Sequence, residues 1–117
     1  MSTILVVDDD PTFGRLMDTV FELEGHQAVI VSRVKDIVPR VRQVQPHLVV
    51  MDVNVAEGQN TLGALQQLKA GEDTRDIPVV MTSGMDHAAE CLAAGAARFI
   101  LKPFRPSELL DLVEQWL

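Results

Sequence analysis

Short apolar runs alternate with stretches of helical periodicity along the whole chain. Thr3 to Val7, Gln27 to Val31, Leu48 to Met51, Ile77 to Thr82 and Phe99 to Leu101 are rich in Val, Ile and Leu, the pattern of strands buried on both faces. Between the first two runs, Phe13, Leu16, Met17, Val20, Phe21 and Leu23 recur at helical spacing. Asp10 reads as the N-cap of this helix, Pro11 as its first residue and Gly25 as its stop. Val34, Ile37, Val38, Val41 and Val44 predict a second helix, but Pro39 falls inside it, so this helix is kinked there or begins near Asp36. Val53 to Asn60 reads as loop, and Asn60 or Thr61 caps a helix through Leu62, Leu65 and Leu68 that Gly71 closes. Asp86 caps a short Ala-rich helix ending at Gly95, and Pro106 opens a last helix carrying Leu109, Leu110, Leu112, Val113 and Trp116.

Five strands alternating with five helices predict an α/β fold, a doubly wound parallel sheet with helices on both faces. The 117 residues suit one domain, 1–117. The last helix ends with the chain, so an output domain is expected to be absent or removed. Ten basic against seventeen acidic residues give a net charge of -7, which disfavours direct nucleic-acid binding and suits basic partners or metal ions. The lone Cys91 cannot form an internal disulfide, which fits a cytoplasmic location. No apolar run approaches the length of a membrane span, and no signal peptide is visible.

The candidate chemistry sits at the strand ends. The first strand runs into Asp8, Asp9 and Asp10, the third into Asp52, and the fifth into Lys102 and Pro103. In a parallel sheet these charges meet at the carboxyl edge, where open α/β sheets bind ligands. Two ionised carboxylates about 4 Å apart repel by roughly 4 kcal/mol at an effective dielectric near 20. A Mg2+ ion relieves that repulsion, since it takes one or two carboxylates, waters and a phosphate oxygen. An isolated Asp-Asp pair would be an ordinary loop with one helix cap; the acid and the lysine at other strand ends point instead to a cation and phosphoryl site. His26, His47 and His87 lack metal-ligand spacing and read as surface or hydrogen-bonded residues.

Ile4 to Pro11, Leu48 to Asp52, Pro78 to Gly84, Ala94-Gly95-Ala96 and Lys102-Pro103-Phe104 together resemble the receiver domain of two-component response regulators, over essentially the whole chain. The resemblance implies the flavodoxin-like strand order 2-1-3-4-5. It implies that Asp52 accepts a phosphoryl group from the phosphohistidine of a sensor histidine kinase or phosphotransfer protein. Asp9 would ligate Mg2+ directly, Asp8 through water, and Asn54 through its backbone carbonyl. Lys102 would pair with the phosphoryl oxygens, the Ser83 hydroxyl would hydrogen-bond them, and Phe99 would follow that hydroxyl. A cis peptide before Pro103 is implied as well. The output would go to a downstream protein or fused domain, and a phosphorylation-dependent dimer is compatible with the pattern. Such a chain is no enzyme beyond promoting its own phosphorylation and dephosphorylation.

Two places depart from the family pattern. The positions four and eight beyond Asp52, usually proline and glycine, are Ala56 and Asn60. Ser83 and Lys102 are 19 positions apart, fewer than in many members, which shortens the fourth helix or the loop before it. The altered loop leaves open a second reading, a protein-binding module that uses the scaffold without phosphorylation. A hydrolase of the phospho-aspartate class would need a further domain over the site.

Overall fold

The computed structural model describes residues 2–117, with Glu57 described by its backbone alone. Strand β1 (Thr3–Val7) is followed by helix α1 (Pro11–Leu23), whose start is set by the Asp10 carboxylate accepting the Thr12 N–H at 3.0 Å. Its stop is Gly25 at φ +83°, a left-handed position that suits glycine, with the His26 N–H returning to the Phe21 carbonyl. Strand β2 (Gln27–Val31) leads into α2 (Val34–Val44). This helix begins at Val34, two residues before Asp36, and runs through Pro39. Val34 packs onto the core and draws the first turn in, at the loss of one intrahelical N–H.

After β3 (Leu48–Asp52) the segment expected as loop is more ordered. Two short strands, β4 (Asn54–Val55) and β5 (Gln59–Asn60), pair antiparallel around a 3-10 turn at Ala56–Gly58, with Gly58 at φ +73°. Val53 and Val55 are buried and Asn54 exposed, so a period-two pattern holds the segment extended on the core. Helix α3 (Leu62–Ala70), strand β6 (Val79–Ser83), helix α4 (Ala88–Ala93), strand β7 (Arg98–Leu101) and helix α5 (Pro106–Val113) complete the main elements. Helix α4 has six residues and one buried side chain, Cys91. The Asp86 carboxylate meets the Ala88 N–H at 3.0 Å, as expected of a cap. Burial first, and Glu90 second, raise the Cys91 thiol above its ordinary range, as for a packed small hydrophobe rather than a reactive group.

The five long strands form one sheet in the order β2-β1-β3-β6-β7, every pair parallel. With the β4–β5 hairpin set aside, this is the expected 2-1-3-4-5 arrangement. Helices α1 and α5 cover one face through Met17, Phe21, Leu109 and Val113. Helices α2, α3 and α4 cover the other through Ile37, Val41, Leu65, Leu68 and Cys91. Because all five strands point the same way, their carboxyl ends share one edge. The Lys102-Pro103 peptide at that edge is cis.

Candidate functional site

Strand alternation decides which end residues share a face. Val6, Val50 and Ile100 belong to the α1/α5 side, so Asp8, Asp52 and Lys102, each two residues on, extend that side past the strand ends. There the Lys102 ammonium bridges the two acids. Its Nζ donates to Asp8 Oδ2 at 2.9 Å and to Asp52 Oδ2 at 2.8 Å. The Asp8 side chain is 2% exposed and that of Asp52 13%, while the lysine retains 26%. The other carboxylate oxygens are held by backbone: Asp8 Oδ1 accepts from the Asp10 N–H at 2.9 Å, and Asp52 Oδ1 from the Asn54 N–H at 3.2 Å. The ammonium also lies 4.6 Å from the centroid of Phe13, whose ring meets Phe104 edge-on at 5.9 Å. The helical pattern had marked Phe13 only as core.

Burial by itself lowers the Lys102 ammonium and is the largest single influence on it. Hydrogen bonds to Asp52 and Asp8, with their charges, together outweigh it and hold the group above its ordinary value. A cation raised in this way stabilises the fold fully below its unfolded value, about 10.4, and loses that contribution as pH rises through the folded value. The stability gap between wild type and Lys102→Met in urea titrations is therefore expected to be flat up to about pH 9.5 and to shrink above about pH 10.5. A gap unchanged through about pH 11.5 would show that the ammonium is not coupled to the two acids.

The remaining expected residues surround this bridge. Asp9 is exposed at the rim. Asn54 pairs with Asn60 in the hairpin, and the neighbouring Thr61 N–H bonds the Val53 carbonyl at 2.8 Å, so Asn54 occupies a non-hydrogen-bonded pair. In such a pair the N–H and C=O both point away from the partner strand. The N–H meets Asp52, so the Asn54 carbonyl is turned to the carboxylate side. Ser83 is 2% exposed and stands outside the lysine network, its Oγ accepting the Met85 N–H at 3.1 Å. Its hydroxyl proton is left to donate elsewhere. Thr82, the register partner of Asp52, is also buried. Phe99 is half-buried on the opposite face, packed with the α2/α3/α4 core.

Among the described residues no three His, Cys, Asp or Glu side chains converge closely enough to cage a metal by themselves. The donor set still fits Mg2+, which needs only one or two carboxylates within a shell of water. Asp8, Asp9 and Asp52 against the single Lys102 ammonium leave a formal excess of two negative charges, and the Asn54 carbonyl adds a neutral oxygen.

The order of acids, hydroxyl and lysine along the strand ends, together with the sheet topology, has a counterpart among known proteins. A profile of the response regulator receiver domain matches residues 4–114. The chain belongs to the response regulator receiver family. The DNA-binding response regulator MtrA of Mycolicibacterium smegmatis is 30% identical over 113 residues, covering 94% of this chain and 48% of MtrA. The chain thus spans about half the length of that relative. Protein PilH of Pseudomonas aeruginosa is 32% identical over 116 residues, covering 97% of this chain and 95% of PilH. The receiver domain of a Pseudomonas aeruginosa sensor histidine kinase, solved with a magnesium ion in its active-site cleft, superposes with a TM-score of 0.86. At 22% identity, with 98% of this chain and 96% of that one covered, it shares the fold. Receivers are phospho-acceptor signalling modules of two-component systems rather than conventional enzymes, and they work with sensor kinases and output domains. No helix among the described residues is long and apolar enough to cross a membrane.

Proposed function

We propose that residues 1–117 act as a single receiver domain in the cytoplasm, taking a phosphoryl group onto Asp52 from the phosphohistidine of a sensor histidine kinase or phosphotransfer protein. The observation that carries this reading is the Lys102 ammonium held between Asp8 and Asp52 at 2.9 and 2.8 Å. It keeps one cation where the phosphoryl oxygens arrive. One Asp52 carboxylate oxygen attacks phosphorus and forms the O–P bond of an acyl phosphate. The N–P bond of the donor breaks, its electron pair stays on the imidazole nitrogen, and that nitrogen takes a proton from solvent. Asp8, Asp9, Asp52 and the Asn54 carbonyl would hold Mg2+. When bound, the ion supplies charge neutralisation at the transferring oxygens, the main requirement of phosphoryl transfer.

Lys102 then pairs with a phosphoryl oxygen, the Ser83 hydroxyl donates its free proton to another, and Phe99 moves into the space vacated. The response passes to a downstream protein or fused output domain, and a phosphorylation-dependent dimer is one form it takes. Direct nucleic-acid contact by these residues is disfavoured by the net charge of -7.

Acetyl phosphate with Mg2+ tests the reading by intact mass. The wild type should gain one phosphoryl group, and a chelator should abolish the gain. Asp9→Ala should bind Mg2+ roughly tenfold or more weakly by calorimetry. Equal Mg2+ binding by wild type and Asp9→Ala removes Asp9 from the ligand set, and labelling that survives chelation removes the metal.

A further inference from the structure

Thr61 stands at the N-cap of α3, a position where its hydroxyl would ordinarily accept an N–H of the first turn, yet it makes no such bond. Asn60 does that work instead, its Oδ1 accepting from the Leu62 N–H at 2.7 Å. The Thr61 hydroxyl reaches backward, donating to the Asp52 carbonyl at 2.7 Å and lying 3.2 Å from the Val53 carbonyl. The Thr61 N–H also holds Val53, and the whole residue is 0% exposed. The β1–β3 ladder ends at Val7 and Met51, so the Asp52 carbonyl lies one residue past the last pair, where the hydroxyl receives it.

We propose that Thr61 is the positioning residue for Asp52. The inference rests on the phosphoryl-acceptor reading above. Its hydroxyl holds the carbonyl of the Asp52–Val53 peptide, whose N–H is held on the other side by the Thr82 carbonyl at 2.9 Å, and that peptide sets the direction in which the Asp52 carboxylate leaves the backbone. The same clamp closes the hairpin and so aims the Asn54 carbonyl at the carboxylate side. Thr61 therefore holds the nucleophile through its hydroxyl and a metal-facing oxygen through its backbone N–H. It does so in a loop that has Ala56 and Asn60 at the positions where the family usually has proline and glycine. Thr61 touches neither phosphorus nor metal in this scheme; it acts through Asp52.

Four proteins test this: wild type, Thr61→Val, Thr61→Ser and Asn60→Ala. Each is assayed for acetyl phosphate labelling rate at saturating Mg2+, for Mg2+ affinity, and for urea stability, with rates expressed per folded molecule. Thr61→Val, matched in shape but without the hydroxyl, should label roughly ten- to a hundredfold more slowly. Thr61→Ser should restore the rate to within about threefold, because the donor is retained. Asn60→Ala should lose stability through its missing cap and still label at the wild-type rate. If Thr61→Val does not fold, Thr61→Ala replaces it in the same comparison. Thr61→Val labelling at the wild-type rate while losing stability overturns the proposal and leaves Thr61 a structural residue. A wild type that takes no phosphoryl group overturns the acceptor reading itself, and this inference with it.

Discussion

Replacing Asp52 with asparagine is expected to abolish phosphoryl uptake while leaving the fold intact. The carboxamide has the shape of the carboxylate but lacks the anionic oxygen that attacks phosphorus. Oδ1 can still accept the Asn54 N–H, and Lys102 keeps Asp8 as its ionic partner, but the bond from Lys102 to Oδ2 is lost, because the carboxamide places an NH2 donor there. One negative charge also leaves a crowded group of acids. The loss of the Lys102–Asp52 bond and the relief of repulsion oppose each other, so the change in stability should stay within about 2 kcal/mol. Intact mass after acetyl phosphate treatment should show no added phosphate, and fluoroberyllate, which mimics the acyl phosphate, should fail to bind. Phosphate still attached to Asp52→Asn would move the acceptor to another residue.

The second large effect is expected from Lys102→Met. The Asp8 and Asp52 side chains are 2% and 13% exposed, and removing the ammonium leaves them facing each other without a counter-charge. Breaking a fully buried pair costs about 3–5 kcal/mol. Lys102 is about a quarter exposed, and solvent screening reduces the expected loss to about 2 kcal/mol. Labelling by acetyl phosphate should fall by about a hundred- to a thousandfold, the usual effect of removing one preorganised group from a developing charge. Saturating Mg2+ should recover part of the stability, because the ion binds the folded acids and not the unfolded chain. A methionine variant as stable as wild type and labelled at the same rate would mean that the bridge is a surface ion pair without function.

The elements were legible because their signals are local. Period-two and 3.6-residue spacing, Asp10 before Pro11 and Gly25 after Leu23 each act within a few residues, and strand and helix bounds followed them closely. Pro39 leaves the helix start open in the sequence because propensity is a weak local term. The burial of Val34 against the core outweighs one missing hydrogen bond, and only the packed structure contains that burial. The segment after Asp52 reads as loop in the sequence because Val53-Asn54-Val55 is too short for alternation to stand out. Its hairpin exists through Val53 and Val55 meeting the core and Thr61 returning to Val53.

By itself the sequence determined the strand–helix alternation, the family and the strand ends at which the acids and the lysine stand. Those follow from short-range spacing and from side-chain chemistry. Tertiary structure decided what the charges do to one another. Lys102 lies 94 positions from Asp8 and 50 from Asp52, and no spacing rule states that one ammonium will bridge both. It also separated the roles of the adjacent residues Asn60 and Thr61. A helix start has room for one cap, so two capping residues in succession marked a surplus hydroxyl. Its direction depended on where the end of β3 had been carried by the sheet, a long-range placement that closes only when the strands pair.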